Sequence, residues 1–273
     1  MLKQRVLTAA VLAPLAIGGV FFLPFSQFQW FVVAVIAIAG WEWANLGDLR
    51  QSPQRVIYAL VVAALLWAVL SLPPGPVLAV AALFWMWALF WVCRFPASGG
   101  QWQGVPQRAV IGLLVLLPAG VALVVLKGMS ASNQLLVLLF LLVWGADIGA
   151  YFAGRRWGGA KLAPHVSPGK TRAGLYGGLV TSLLITLIAG LWWQLPVTSL
   201  LALLLVGLVT ALASVLGDLL ESMFKRHRGI KDSSALLPGH GGVLDRIDSL
   251  TAAAPVYALG TTVSGLGSLL ATL

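Results

Sequence analysis

The chain has 273 residues, of which 60% are apolar and only 9% charged, with a formal net charge of +9. An ordinary soluble domain is about a quarter charged, so this composition, at a mean hydropathy of +0.96, excludes a disordered chain, a fibrous repeat and a soluble enzyme of normal surface chemistry. It points to an all-α, polytopic membrane protein.

Nine apolar runs follow one another, at roughly 6–24, 28–46, 56–72, 77–93, 109–126, 134–153, 174–193, 197–217 and 250–272. Their lengths suit a hydrocarbon core of about 30 Å. The first run follows Lys3 and Arg5, but Leu23-Pro24-Phe25-Ser26 is not a small-x-small cleavage site, so it reads as a retained span rather than a signal peptide. Leu72-Pro73-Pro74-Gly75-Pro76 makes a tight turn between the third and fourth runs, and Leu195-Pro196 separates the seventh from the eighth. Cys93, the single cysteine, ends the fourth run and reads as a buried or interfacial thiol; alone, it excludes an internal disulfide and a Cys-based zinc site.

Lys and Arg divide unevenly between the two sides of such a bundle. The N-terminus and every second loop after it hold 16 of the 17; the opposite side holds only Lys127. That bias predicts a cytoplasmic N-terminus and, with nine spans, an external C-terminus. The chain reads as one membrane domain, 1–273. Residues 1–130 carry no motif, whereas 131–273 carry two longer cytoplasmic segments, 154–173 and 218–249.

Of the eight acidic residues, five fall within 218–248. Asp218 and Glu221 are three apart at the end of the eighth run and share a helix face. Asp245 and Asp248 repeat the spacing at the start of the ninth, with Arg246 between them. Carboxylates converging from two helices suit Mg²⁺, a hard ion that takes oxygen ligands and substrate phosphates together. Lys225, Arg226, Arg228 and Lys231 lie between them, with the charge to hold phosphate. Gly239-His240-Gly241-Gly242 leads into the ninth run, where a helix N-terminus presents free N–H groups to an anion. His240 is equally a substrate contact or a structural residue.

Asp147 sits inside the sixth run, where a carboxylate is costly unless it faces a polar cavity or a structural partner on a neighbouring helix. The loop beyond carries Ser167-Pro168-Gly169-Lys170-Thr171. It looks like the tail of a phosphate-binding P-loop, but Pro164 replaces the upstream glycine and no parallel-sheet strand precedes it. What remains is local chemistry for phosphate: hydroxyls, a glycine and a lysine. Glu42, between Trp41 and Trp43, reads either as a structural intramembrane acid or as part of a polar cavity. His165 and His227 read as loop residues without a ligand role.

Ser222-x-Phe224-Lys225-Arg226, Lys231-Asp232-x-Ser234 and Leu237-Pro238-x-His240-Gly241-Gly242-Val243-x-Asp245-Arg246-Ile247-Asp248 together resemble the signature of the phosphatidate cytidylyltransferases, or CDP-diacylglycerol synthases. The resemblance extends upstream through Asp147 to Tyr151 and Ser167 to Thr171, and departs from the family's usual pattern at His165 and at Arg172-Ala173. It implies a reaction of CTP with phosphatidate, dependent on Mg²⁺, giving CDP-diacylglycerol and pyrophosphate. It implies a homodimer in the bacterial inner membrane, with its active site facing the cytoplasm. By motif position, Asp218 and Asp245 are the metal ligands. Lys170, Lys225, Arg226, Lys231 and Arg246 are then the groups that clamp phosphates. Asp147, Ser167, Thr171, Ser222, Asp232, His240, Gly241, Gly242 and Asp248 complete the expected substrate site. Two other readings compete: a polyprenol or dolichol kinase using CTP, and a transporter using Asp147 and Asp218 as ion ligands.

Overall fold

The structure is a computed structural model, and it describes residues 8, 10–11 and 14–271. Most of the first apolar run therefore lies outside the described residues; its end forms a π-helical turn at Gly18–Phe22. The long helices are α1 (Phe25–Leu46), α2 (Ser52–Val69), α3 (Pro74–Arg94), α4 (Val105–Gly128), α5 (Ser132–Trp157), α6 (Arg172–Trp192), α7 (Val197–Arg228) and α8 (Leu244–Val263). A short α9 (Leu266–Leu270) follows. Prolines mark several starts: Pro53, Pro74 and Pro106 occupy first-turn positions, where the missing N–H has no intrahelical partner to lose.

Seven described helices, α1 to α7, are long and apolar enough to cross a membrane. The chain is thus a helical, polytopic integral membrane protein. The ninth expected run is shifted: α8 begins at Leu244 and ends at Val263, and Gly265, at φ +69°, turns the chain into α9. α8 is not among the seven because it is poor in large apolar side chains. Its Ala252, Ala253, Ala254, Tyr257 and Ala258 are all fully buried. A helix wrapped by other helices is selected for close packing rather than for solubility in lipid.

Two further expectations are corrected. The eighth run was expected to end at 217 and a cytoplasmic segment to begin at 218. In fact α7 continues to Arg228, because nothing in Asp218–Arg228 breaks a helix, and Gly229 closes it in the left-handed region at φ +72°. Asp218, Glu221, Lys225 and His227 are therefore helical residues. Segment 154–173 is likewise not plain loop. α5 runs to Trp157, and β1 (Lys161–Ala163) pairs antiparallel with β2 (Ser167–Thr171), a small exception to an all-α fold.

Two close approaches bring the polar groups together. On α6, a side chain at Gly178 would place its Cβ 2.7 Å from the Ala146 carbonyl oxygen, and one at Gly174 would place it 2.9 Å from that of Ala150. α5 and α6 thus pack backbone to backbone beside Asp147, as small residues allow. On α7, a Cβ at Gly217 would collide with the Asp248 carbonyl, so α8 presses on α7 one residue from Asp218.

Alternating helix directions bring the ends of α1, α3, α5 and α7 and the starts of α2, α4, α6 and α8 to one end of the bundle. Trp43, Trp102 and Phe224 seal that end from inside; Trp102 lies 5.0 Å from Phe224 and 5.1 Å from the His227 ring. Lys127, at the opposite end, donates to the Val20 carbonyl at 2.7 Å. Along the bundle's sides, large apolar groups such as Ile57, Leu60, Leu83, Leu184 and Leu205 are more than half exposed, a surface suited to lipid.

Candidate active site

The two polar segments meet. Lys170, at the end of the β-hairpin, reaches Asp218 on α7 at 2.5 Å. Ser222, one turn along α7, donates to the same carboxylate at 3.1 Å. Arg226 donates from Nε to the Val166 carbonyl at 3.1 Å, so the hairpin is tied to α7 at two levels.

A second cluster sits at the junction of α7 and α8. Lys225 is buried, 2.9 Å from Asp245 Oδ1 and 3.1 Å from Glu221 Oε1. Asp245 also accepts from the Ser233 N–H and hydroxyl, each at 2.9 Å, and from the Gly242 N–H at 2.7 Å. Gly241, at φ +81°, is left-handed, and a Cβ there would stand 2.6 Å from the Asp245 carboxylate. The glycines therefore admit the carboxylate to the backbone. Burial works against ionisation of Asp245, but the Lys225 ammonium and then the Gly242 and Ser233 N–H groups hold its pKa below the usual carboxylate value.

The other expected residues fall around these clusters. Thr171 caps α6, accepting from the Gly174 N–H at 3.0 Å. Ser167 lies on β2. Arg246 donates twice to the His240 carbonyl, at 3.0 and 2.6 Å, and so braces the glycine turn. Lys231 and Asp232 are exposed, and Asp248 is half-buried. Arg228 turns away from this group to Asp48, at 3.3 Å. Cys93 is exposed.

Two cavities adjoin here. One, of about 390 Å³, is lined by Asp147, Tyr151, Arg155, Lys170 and Thr171 among small residues of α5 and α6. The other, of about 910 Å³, is almost wholly apolar and runs between α3, the hairpin, α7 and α8, from Pro164 to Val263. Leu162, Leu175 and Val215 line both.

Among the described residues no three acidic, His or Cys side chains converge as a ready-made metal site. The donor chemistry nevertheless suits a hard divalent ion. Asp218, Glu221, Asp245 and Asp248 gather four carboxyl groups, and the ion pairs supply two ammonium groups, Lys170 and Lys225. Both Glu221 oxygens are buried without a hydrogen bond. Asp218 is the more open of the two expected ligands, since Asp245 already accepts from three residues.

The sequence reading missed part of this end. Glu42 accepts from Ser234, Val243 and Leu244. Asn45 donates to the Ser233 carbonyl at 3.1 Å, and Asp48 lies against Arg50 and Arg228. The available signal was an acid inside an apolar span; its partners lie some 200 residues on, beyond what spacing reveals.

Fold and site together define a polytopic helical membrane protein with an ionised pocket set against an apolar cavity. The sequence model described as the cytidylyltransferase family matches residues 3–263, and the chain belongs to that family. It is 51% identical over 270 residues to a Pseudomonas aeruginosa protein named phosphatidate cytidylyltransferase, covering 98% of this chain and 100% of that one. Proteins of the same name from Haemophilus influenzae and Brucella suis are 41% and 36% identical; each alignment covers 94% of this chain, and 97% and 92% of the relative.

Proposed function

We propose that the protein transfers the cytidylyl group of CTP to phosphatidate, giving CDP-diacylglycerol and pyrophosphate for phospholipid synthesis. One observation carries the reading beyond the family: a polar cavity lined by Asp147 and Lys170 shares its wall with a large apolar one. An amphiphile with a phosphate head and acyl tails needs that combination. Its phosphate lies by Lys170 and Asp218, and its chains enter the apolar cavity from the side of the bundle.

The lipid phosphate is already an anionic nucleophile, so no strong general base is required. The obstacle is repulsion between two polyanions. Lys170, Lys225, Arg226, Lys231 and Arg246 hold phosphate oxygens in line for attack on the α-phosphorus, while pyrophosphate leaves on the far side. Lys170 and Lys225, now paired to carboxylates, exchange part of that pairing for phosphate. Mg²⁺, held by Asp218 and Asp245 with Glu221 and Asp248 beside them, supplies neutralisation of phosphate charge when bound. Ser167, Thr171, Ser222, Asp232, His240, Gly241 and Gly242 complete the substrate surface.

The wider arrangement follows the positive-inside bias. The first run and α8 join the seven apolar helices as nine spans, with the N-terminus cytoplasmic and the C-terminus external. The enzyme sits in the bacterial inner membrane as a homodimer, its active site on the cytoplasmic face. The whole chain is one membrane domain, with the reacting groups in 131–273.

The test is purified protein with CTP, phosphatidate and Mg²⁺. CDP-diacylglycerol and pyrophosphate are expected in equal amounts; their absence overturns the reading, and lipid phosphate plus CDP would mark a kinase instead. Cysteine labelling of intact cells at positions 169 and 127 reads the orientation.

A further inference from the structure

Glu42 is fully buried in α1, yet all three of its hydrogen-bond donors come from the opposite end of the chain. Its Oε1 accepts from the Ser234 hydroxyl at 2.6 Å and from the Val243 N–H at 3.0 Å; its Oε2 accepts from the Leu244 N–H at 2.5 Å. Among the described residues no cation lies within ion-pair distance of it. A buried carboxylate is costly unless its oxygens are satisfied, and here the free N–H groups of a helix start satisfy them.

Val243, the residue before α8, supplies no side-chain cap of its own. The free N–H groups there are divided between two carboxylates. Gly242 donates to Asp245, from the helix itself; Val243 and Leu244 donate to Glu42, from α1. Gly242 is squeezed between them, for a Cβ there would collide with both the Glu42 carboxylate and the Ser233 hydroxyl. Asn45, one turn along α1, holds the Ser233 carbonyl in the same segment.

We infer that Glu42 is a positioning residue, the anchor that sets where Asp245 and Asp248 stand relative to Asp218. The inference rests on the cytidylyl-transfer reading of the site. Glu42 acts through the backbone of the 232–244 segment and not on substrate. The chemistry demands a carboxylate: three donors converge on two oxygens, and a Gln amide would set its own NH₂ against one of them. Asp keeps the acceptors but falls one methylene short.

The experiment compares Glu42→Gln and Glu42→Asp with the unaltered protein in detergent, by amide hydrogen exchange and by initial rates against Mg²⁺. For Glu42→Gln, exchange at 242–244 speeds by about tenfold or more and the Mg²⁺ concentration for half-maximal rate rises about tenfold, as for loss of an outer-shell support. Glu42→Asp restores part of both. Unaltered exchange and Mg²⁺ dependence in Glu42→Gln would overturn the inference. If Glu42→Gln fails to fold, Ser234→Ala and Gly242→Ala disturb the same anchor and must move both readouts in the same direction; no movement in either overturns it equally. An unaltered protein that makes no CDP-lipid removes the functional reading, while faster exchange at 242–244 in Glu42→Gln still upholds the anchor.

Discussion

Lys170 Nζ stands 2.5 Å from Asp218 Oδ2, a contact that joins the β-hairpin after α5 to the end of α7. Each group has one obvious task when substrates bind: the ammonium meets phosphate, and the carboxylate meets Mg²⁺. Together they hold the two sides of the polar cavity at a fixed distance while waiting.

That pairing sets the first expectation. Lys170→Met and Asp218→Asn each lower kcat/KM for CTP by about 10²–10³-fold, the usual scale for losing a transition-state electrostatic contact. The double variant is only slightly worse than either single one, since groups acting as a unit are not additive. Initial rates of CDP-lipid formation in the four proteins give the coupling. Full additivity would mean that the two residues serve separate steps.

Asp48 makes a different prediction, about stability against pH. It lies after α1, 2.7 Å from Arg50, 3.3 Å from Arg228 on α7 and 4.0 Å from Arg108 on α4. The Arg50 hydrogen bond, foremost, lowers its pKa below the model value. A carboxylate depressed in the folded state stabilises above its unfolded pKa of about 3.9 and loses that contribution as pH falls through the folded value. The carboxylate is partly solvated, so the gain is roughly 0–1 kcal/mol. Asp48→Asn therefore melts slightly lower at neutral pH, and the difference closes below about pH 4 and in high salt. A difference that grew in acid would contradict the assignment.

How far the sequence disclosed this molecule depends on the range of the interaction. Helices α1 to α7 were readable because a lipid-facing helix must be apolar along its whole length. The end of α7 was not, since Asp218–Arg228 is polar and polarity was taken as loop; a helix supported by protein neighbours tolerates charge. The gathering of Asp218, Asp245 and Lys225 was foreseeable from spacing on two consecutive helices. Glu42 gave away its cost but not its partners, because nothing local encodes a contact with Val243 and Leu244.

Packing between α5 and α6 offers a third test. Gly178 lies 2.7 Å, at the Cβ it lacks, from the Ala146 carbonyl. Gly178→Val pushes the helices apart and shifts Asp147, at a cost of about 1–3 kcal/mol for an overpacked contact. Gly169 is the control: it is exposed, and a Cβ there would meet nothing within 4 Å. Thermal unfolding in detergent should show a clear drop for Gly178→Val and none for Gly169→Ala. Equal effects would mean that the α5–α6 approach is loose.

The apolar cavity predicts which substrate feels which change. Ala213 is buried on α7 and lines that cavity without lining the polar one. Ala213→Phe fills space needed by acyl chains. Excluding the equivalent of two methylenes, at about 0.8 kcal/mol each, weakens lipid binding by roughly tenfold. KM for a long-chain phosphatidate should therefore rise by about that factor, while KM for CTP, bound on the polar side, stays level. A short-chain phosphatidate should lose much less, because the part of the cavity lost is a part its tails never fill. If long and short chains suffered alike, the substitution would be acting on the fold. If neither did, the acyl chains would be passing elsewhere along the bundle, and the shared wall of Leu162, Leu175 and Val215 would have no part in holding the lipid.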